Sequence, residues 1–216
     1  VGINGAQSSI IAINTAAGDD TITFSTGTLV AASTAGGVTI DAGTGQDTIT
    51  KAAGDNDGSA FGITTYTVQD GDSLAASYDT ITGFDLGNGA GFADSLDFGT
   101  ANVEGNTAGT DGTDAGTIKS HAITSGIITF DDVDSFTTAV VVNAGNISDV
   151  LTYLATNIST AGDTVALAYD STGNGTADST WVFNQGTLDS VVYLSGVVGT
   201  SLSATNATTA GLIDIG

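Results

Sequence analysis

The chain of 216 residues contains no cysteine, which excludes disulfide bonds, thiolate metal sites and a cysteine nucleophile. It also contains no arginine, and Lys51 and Lys119 are its only cationic residues besides a single histidine. The formal net charge is -22. Binding to phosphate backbones or to anionic membrane surfaces requires basic patches, which this sequence cannot supply. Nucleic acid is therefore excluded as a partner.

Long apolar runs are absent as well. None approaches the ~20 residues that a helix needs to cross a bilayer, so we expect no membrane insertion. The first residues, VGINGAQSS, have neither the basic head nor the apolar segment of a signal peptide. Because the sequence does not begin with methionine, we expect a processed product or a piece of a longer polypeptide. The lack of cysteine fits a secreted, extracellular protein that is stabilised by something other than disulfides.

Side chains that commonly carry catalysis are scarce. His121 is the only histidine, and it has no motif partner for a Ser-His-Asp arrangement or a multi-histidine zinc site. We interpret it as a packing or surface residue. Two aspartates at a separation suited to glycoside cleavage would be uninformative in so aspartate-rich a chain. We therefore predict that the protein is not an enzyme.

Aspartate is what the chain has in abundance. All but one of its 24 acidic residues are aspartate, the exception being Glu104. The short aspartate side chain bonds nearby backbone in turns and coordinates hard cations. Self-repulsion of the negative charge penalises the compact state unless counterions neutralise it, so a bound divalent metal is a natural compensation. The alternative is a solvated acidic surface that only aids solubility.

Glycine recurs with a period of nine residues in the first part of the chain. Five glycines share one phase: Gly18, Gly27, Gly36, Gly45 and Gly54. Apolar residues follow four positions after the first four of them: Ile22, Ala31, Ile40 and Ile49. The paired glycine and apolar phases indicate an internal repeat. The tetrapeptide DTIT ends two of the units and occurs once more, in YDTIT at 78–82.

Residues 42–50, AGTGQDTIT, resemble the calcium-binding nonapeptide G-G-x-G-x-D-x-U-x of repeats-in-toxin proteins at every place but the first. The resemblance implies a parallel β-roll whose glycines permit tight turns and whose apolar residue points inward. Carbonyl oxygens and carboxylates of the turns would bind Ca²⁺. The implied metal ligands in this chain are Asp20, Gly43, Gly45 and Asp47.

The repeat also departs from that pattern. Leu29 and Val38 occupy the aspartate place in the two units between the aspartates, and Asn56 occupies it afterwards. In a full roll the calcium ions lie between loops two units apart, and no such pair here carries two aspartates. We therefore expect residues 15–59 to form a degenerate roll with one or two sites. The alternative is a β-solenoid or sandwich edge in which aspartate only caps the turns.

A second aspartate-rich segment is AYDSTGNGTADSTWVF at 168–183. Five of its residues occupy positions 1, 3, 5, 6 and 9 of an EF-hand-like loop: Asp170, Thr172, Asn174, Gly175 and Asp178. Four of them, Asp170, Thr172, Asn174 and Asp178, are the predicted metal ligands. Trp181 stands at position 12, where a bidentate Glu is usual, so a complete EF-hand is not expected. The alternative, which can coexist with a cation, is a β-hairpin that turns at Asn174-Gly175.

The rest of the chain is rich in strand signals: FGITTYTV, DTITGF, SLDF, GIITF, AVVVN, TVALAY, STWVF and SVVYLSGV. Residues 146–158 predict one short helix with Ser148 as its N-cap. The predicted fold class is all-β. A short degenerate parallel β-roll or β-helix with following strands (1–98) precedes a long exposed loop (99–120) and a β-sandwich-like region that holds the helix (121–216).

The runs at 78–98 and 166–202 resemble the region that follows the nonapeptides in large bacterial surface proteins exported by type I secretion. This resemblance implies a secreted, calcium-dependent structural protein of the cell surface that assembles with copies of itself, as a surface layer or an extracellular matrix or fibre. The alternative is a non-catalytic carboxy-terminal export and folding domain of a large adhesin or enzyme. A carbohydrate-binding sandwich, with cell-surface polysaccharide as its partner, is a third interpretation that the low aromatic content weakens.

Overall fold

The computed structural model describes residues 2–3, 11–24, 38–51, 64–87, 93–204 and 211–216. Several positions of the nine-residue alignment lie outside these residues: Gly27, Leu29, Ala31, Gly36, Gly54 and Asn56. Within the described part, no helix has both the length and the apolar character needed to cross a membrane.

The described residues form 17 strands and one helix, which confirms the predicted all-β class. The elements are β1 (Gly2–Ile3), β2 (Ile11–Asn14), β3 (Thr21–Phe24), β4 (Val38–Asp41), β5 (Thr48–Lys51), β6 (Thr64–Thr67), β7 (Asp79–Thr82), β8 (Ser95–Asp97), β9 (Asn102–Val103), β10 (Thr107–Ala115), β11 (Ile118–Thr124), β12 (Ile127–Asp131), α1 (Ile147–Asn157), β13 (Asp163–Tyr169), β14 (Ser179–Asn184), β15 (Ser190–Ser195), β16 (Leu202–Ala204) and β17 (Leu212–Ile215).

The strands form a larger sheet of 11 strands and a smaller sheet of six. The larger sheet has the order β1-β3-β5-β7-β15-β14-β13-β12-β11-β10, with β9 beside β13, and the smaller sheet has the order β16-β17-β8-β6-β4-β2. From β2 to β8 the chain alternates between the two sheets, and the strands of this part pair in parallel within each sheet. Each pass of the chain therefore adds one strand to each sheet.

Stacked positions in the first passes lie 27 residues apart. Ile22 is the register partner of Ile49, and Ile13 is the register partner of Ile40. This distance corresponds to three nine-residue units, so the expectation that loops stack two units apart is wrong. The physical reason is that neighbouring strands of one sheet, β3 and β5 or β2 and β4, begin 27 residues apart.

The apolar phase of the repeat builds the core between the two sheets. Ile22, Ile40 and Ile49 are all buried there. Leu96 from the smaller sheet and Val182 from the larger sheet belong to the same core. Alternate residues of a strand point to opposite faces, which explains why Thr-Ile-Thr buries the isoleucine. Each such side chain contributes about 1.5–3 kcal/mol when it is fully buried.

A second core lies on the other face of the larger sheet, beneath α1. Val150, Tyr153 and Leu154 of the helix are buried in it together with Trp181 and Phe183 of β14. All six residues of β14 are buried, because this strand contributes alternate side chains to the two cores. The smaller sheet, the larger sheet and the helix therefore form three layers.

The predicted exposed loop at 99–120 is wrong, because these residues form β9, β10 and the start of β11. Most side chains of β10 are exposed, which is why the sequence shows no apolar period there. Strand pairing uses backbone N–H and C=O groups and does not require buried side chains. Both sheets contain strands from before and after these residues, since β7 pairs with β15 and β8 pairs with β17.

The predicted helix is confirmed, but its predicted N-cap, Ser148, is wrong. The helix begins after Asn146. The Oδ1 atom of Asn146 accepts the N–H of Asn143 at 2.9 Å, and the backbone N–H of Asn146 donates to the Asn143 carbonyl at 3.1 Å. This local turn fixes the start of the helix, and Ser148 lies within the first turn.

The segment AVVVN at 139–143, a predicted strand, is not one. It makes a single bridge, between Asn143 and Asp170. Val142 is buried in the core beneath the helix, whereas Val141 is 47 % exposed. Val140 and Val142 therefore pack against that core instead of extending a sheet.

Candidate metal centre in the stacked aspartate turns

Three copies of DTIT stack in the larger sheet. They begin at Asp20, Asp47 and Asp79, and their threonines and isoleucines are aligned in β3, β5 and β7. The three aspartates therefore lie at one level, where the stacked turns enter the sheet. The nine-residue period alone misses Asp79, because the 32 residues between Asp47 and Asp79 break it. The repeated tetrapeptide was the signal that could have found it.

Two of the three aspartate side chains, those of Asp47 and Asp79, accept a hydrogen bond from the turn stacked next to them. Asp47 Oδ1 accepts the N–H of Asp20 at 2.7 Å, and Asp79 Oδ1 accepts the N–H of Asp47 at 3.0 Å. The N–H of Asp79 donates to Ser73 Oγ at 2.7 Å, and the Ser73 hydroxyl donates to the carbonyl of Val191. The side chains thus link successive turns as a ladder, the capping role that the alternative interpretation gives to aspartate.

Asp47 has one carboxylate oxygen that the ladder does not use. Its side chain is 0 % exposed, and Oδ2 has no hydrogen-bond partner among the described residues. Burial raises the pKa of Asp47, the Asp20 N–H opposes this, and the charges of Asp20, Asp19 and Asp72 raise the pKa further. A buried polar atom without a partner costs stability. This oxygen would be satisfied by a proton, a cation or an ordered water.

Asp79 shares the same acidic surroundings. Burial raises its pKa to about 7, against the effect of the Asp47 N–H, and the charges of Asp47 and Asp72 add to the rise. Buried carboxyl groups close to one another cannot all ionise without a large cost. A shared proton or a counterion would therefore stabilise the carboxyl groups in the stacked turns.

Gly43 and Gly45, two predicted ligands, lie where neighbouring turns touch. Both have positive φ angles, +82° and +146°. A Cβ atom at Gly43 would lie 1.6 Å from the carbonyl oxygen of Ala16, and one at Gly45 would lie 2.3 Å from that of Gly18. The turns therefore stack at backbone contact. The carbonyl oxygens at these contacts belong to Ala16 and Gly18, and carbonyl oxygens are common ligands of calcium.

The second predicted site, in the connection between β13 and β14, is filled by its own donors. Asp170 Oδ1 accepts the N–H groups of Gly173 at 2.7 Å and Asn174 at 3.2 Å. It also accepts the Thr172 hydroxyl at 3.2 Å, and Oδ2 accepts the N–H of Gly175 at 2.6 Å. Burial alone would raise the pKa of Asp170, but these backbone donors outweigh it and the pKa is lowered. The carboxylate is thus stabilised without a cation.

Asp178 closes the other side of the same connection. Its Oδ1 accepts the N–H of Ser171 at 3.2 Å and the hydroxyl of Ser179 at 2.9 Å, and hydrogen bonds from Ser171 and Ser179 lower its pKa. The antiparallel pairing of β13 with β14 confirms the predicted hairpin. Its connection spans residues 170–178 instead of turning tightly at Asn174-Gly175.

No group of three or more His, Cys, Asp or Glu side chains in the described part of the chain is arranged to hold a metal ion. A cation in the stacked turns would therefore take ligands from backbone carbonyls as well as from carboxylates, which is common for calcium. Comparisons with models of known families, with curated proteins and with solved structures find no match for this chain. Function must therefore be inferred from the chemistry of the molecule itself.

Proposed function

We propose that this protein is a calcium-dependent, secreted structural protein of the bacterial cell surface that assembles with copies of itself into a surface layer, matrix or fibre. The observation that carries the calcium dependence is the buried Oδ2 of Asp47, which lies among other aspartates and has no hydrogen-bond partner among the described residues. A carboxylate oxygen in that setting favours a hard divalent cation, which would neutralise several charges at once.

The stacking distance supports this proposal. We infer that the amino-terminal strands form a parallel coil with three nonapeptide units per turn, which is a degenerate and wider form of the two-unit roll. Two-unit stacking would leave Asp20 and Asp47 in loops that do not face each other. Stacking over 27 residues places them in consecutive turns, joined by a hydrogen bond.

The residues fit calcium better in the stacked turns than in the hairpin. Asp20 and Asp47 would supply carboxylate oxygens, with carbonyl oxygens from the turns at Gly43 and Gly45 as further ligands. A cation in this site would also stabilise the ionised carboxylate of Asp79, because it offsets the cost of burying that charge. The hairpin connection at 170–178 is the weaker candidate, since its carboxylates already accept several hydrogen bonds.

Calcium would supply folding free energy and would bridge acidic surfaces between copies. A site that exists only in the folded chain converts binding free energy into stability. Calcium is scarce in the cytoplasm and abundant outside, so the chain would stay loosely folded before export and fold after it. The net charge of -22 opposes contact between copies until cations neutralise it.

The test is a calcium titration of the full chain after treatment with a chelator, followed by circular dichroism, thermal unfolding and light scattering. We expect calcium to raise stability by about 2.7 kcal/mol at a hundredfold excess over the dissociation constant. Asp47→Asn should lose most of this gain. Asp132→Asn, at an exposed aspartate outside the stacked turns, should keep it.

The outcomes separate the alternatives. An ordered polymer that forms with calcium supports the surface-layer or fibre protein. Calcium-driven folding of a monomer supports instead a non-catalytic export and folding domain of a larger adhesin or enzyme. If neither calcium nor chelator changes any signal, or if Asp47→Asn responds as the unaltered chain does, the stacked turns are not a calcium site.

A further inference from the structure

A cavity of about 600 Å³ lies between α1 and the aromatic residues of the larger sheet. The helix contributes Ile147, Leu151 and Ala155 to its lining. Tyr169 and Trp181 line it from the sheet. Among the described residues no charged side chain lines this cavity, although the protein as a whole is strongly acidic.

The apolar wall on the helix side of this cavity arises because α1 has two apolar stripes. Val150 and Leu154 are buried in the core beneath it. Ile147, Leu151 and Ala155 follow one another at intervals of four residues and therefore form a second stripe along the helix. This second stripe lines the cavity, and its residues Ile147 and Leu151 also pack against the edge of the core.

The opposite wall is aromatic and closely packed. The ring of Trp181 lies 4.5 Å from that of Tyr78, 5.0 Å from that of Tyr193 and 5.8 Å from that of Tyr169, measured between centroids. Trp181 is only 4 % exposed, and its Nε1 has no hydrogen-bond partner among the described residues. Because this N–H is closed to water, Trp181 offers the cavity ring surface and no accessible donor.

Two hydroxyl groups of the lining are engaged within the helix. Thr152 Oγ1 donates to the carbonyl of Ser148 at 2.9 Å, and Thr156 Oγ1 donates to the carbonyl of Thr152 at 3.0 Å. A sugar needs many free polar partners, whereas an apolar molecule needs few. The apolar walls and the absence of a charged lining side chain among the described residues therefore favour an apolar ligand over a polysaccharide.

We propose that this cavity binds an uncharged, mostly apolar molecule of one or two rings. The volume lies within the range of small-molecule sites, roughly 300–1,000 Å³. The apolar helix stripe and the aromatic wall would enclose the rings. The negative charge of the whole protein would disfavour anionic ligands.

The probe for this proposal is 6-propionyl-2-(dimethylamino)naphthalene, an uncharged two-ring molecule with one carbonyl acceptor. Trp181 is the only tryptophan of the chain, so quenching of its fluorescence by the probe reports on this cavity directly. We expect saturable quenching together with a blue shift of the probe emission. Anilinonaphthalene sulfonate, which is anionic, should bind at least about tenfold more weakly. Both titrations are run with calcium and with a chelator, and circular dichroism shows in each case that the chain is folded, because the cavity contains no residue of the proposed calcium site.

Two variants fill the cavity from opposite sides, Ala155→Phe on the helix and Ala76→Phe across from it. Each should weaken binding of the uncharged probe more than about tenfold. Ala161→Phe, at an exposed position that does not line the cavity, should leave it unchanged. Near-ultraviolet circular dichroism of Trp181 shows whether each variant has kept its fold. Binding data from one folded cavity variant are sufficient for the test.

Three results would overturn the proposal. The first is the absence of saturable quenching by the uncharged probe, and the second is equal binding by the folded cavity variants and the unaltered chain. The third is a preference for another class of ligand. Anilinonaphthalene sulfonate would then bind as tightly as the uncharged probe, or a soluble neutral oligosaccharide would quench Trp181 fluorescence while the probe does not.

Discussion

The imidazole Nδ1 of His121 lies 2.9 Å from the hydroxyl oxygen of Tyr153, in the core beneath α1. The two rings meet nearly edge to face, at 74°. Both residues are buried, and Tyr153 also donates to the carbonyl of Lys119 at 3.3 Å. The only histidine of the chain therefore joins β11 to the helix, in agreement with its interpretation as a packing residue.

The first prediction concerns the protonation of His121. Burial lowers its pKa from the ordinary value of 6.5, because the core disfavours the charged imidazolium. Above pH 6.5 the folded and unfolded states are both neutral at this residue, so its contribution to stability is constant. As the pH falls below 6.5, the unfolded state binds the proton first and stability is lost until the folded state titrates too.

Nuclear magnetic resonance can measure this pKa without ambiguity, since the chain gives one imidazole signal. Unfolding free energies of the unaltered chain and of His121→Asn are compared between pH 7.5 and pH 5. The unaltered chain should lose more stability over this interval. An imidazole pKa at or above 6.5, or parallel pH profiles of the two proteins, would contradict the prediction.

A second prediction concerns the charge of Asp79 in the stacked turns. Its pKa of about 7 exceeds the ordinary value of 3.8, so the folded state holds a proton that the unfolded state releases. Its contribution to stability is therefore fully present below pH 3.8 and is lost as the pH rises from 3.8 to about 7. Asp79→Asn removes the charge and retains an oxygen that can accept the Asp47 N–H.

In the presence of a chelator, Asp79→Asn should be more stable than the unaltered chain at pH 8 by about 1–4 kcal/mol, and the difference should shrink towards pH 4. Urea unfolding at several pH values measures it. Asp132→Asn serves as the control, because its side chain is exposed and lies outside the turns. A difference for Asp79→Asn that does not vary with pH would show that Asp79 ionises normally in the folded state.

A third prediction separates the stacking of the turns from the backbone angle of their glycines. Gly18 and Gly45 both have positive φ angles, +123° and +146°, where a side chain is strained. A Cβ atom at Gly45 would also overlap the Gly18 carbonyl oxygen, whereas one at Gly18 would meet no described atom within 4 Å. We expect Gly18→Ala to cost about 1 kcal/mol, and Gly45→Ala to cost about 1–3 kcal/mol more.

Thermal and urea unfolding of the two glycine variants test this difference. Far-ultraviolet circular dichroism shows whether the strands are kept. Equal losses of stability for Gly18→Ala and Gly45→Ala would mean that the turns can move apart at little cost. The positions of the Ala16 and Gly18 carbonyl oxygens against the next turn would then not depend on close stacking.

Local periodicity predicted the strand positions well and their partners poorly. The isoleucine phase identified the buried residues of β3, β4 and β5, because inward and outward side chains alternate along a strand. The nine-residue period did not specify how many units make one turn of the coil. That number depends on when the chain returns to the same sheet, which is a long-range property.

Lys51 illustrates a second limit of the sequence. It follows Thr-Ile-Thr at the inward position that Phe24 occupies in the paired strand, so an apolar residue would be expected there. Instead its ammonium group makes a buried ion pair with Asp94, 43 residues further along the chain. Nothing in the local pattern names this partner. The hydrogen bonds of the Asp47 ladder were missed for a similar reason. The N–H groups that donate to it and the aspartates whose charges act on it come from other turns.

The last prediction concerns the edge strand β10, which the sequence pattern reads as a loop. Asn157 at the end of α1 accepts the N–H of Thr113 at 2.7 Å and donates to the Thr113 carbonyl at 3.1 Å. Its amide group thus takes the place of a neighbouring strand at one residue of this edge. Unpaired edge groups invite pairing with another chain, so Asn157 protects β10 from it.

Asn157→Ala should lower the unfolding free energy by about 1–2 kcal/mol and speed hydrogen exchange of the Thr113 amide. Light scattering should also show association at lower protein concentration, because the freed edge becomes available to a second copy. Thr160→Ala, at an exposed position beyond the helix, should change none of these. If the Thr113 amide stays protected in Asn157→Ala, water or a neighbouring group replaces the asparagine, and the edge is protected by its exposed aspartates instead.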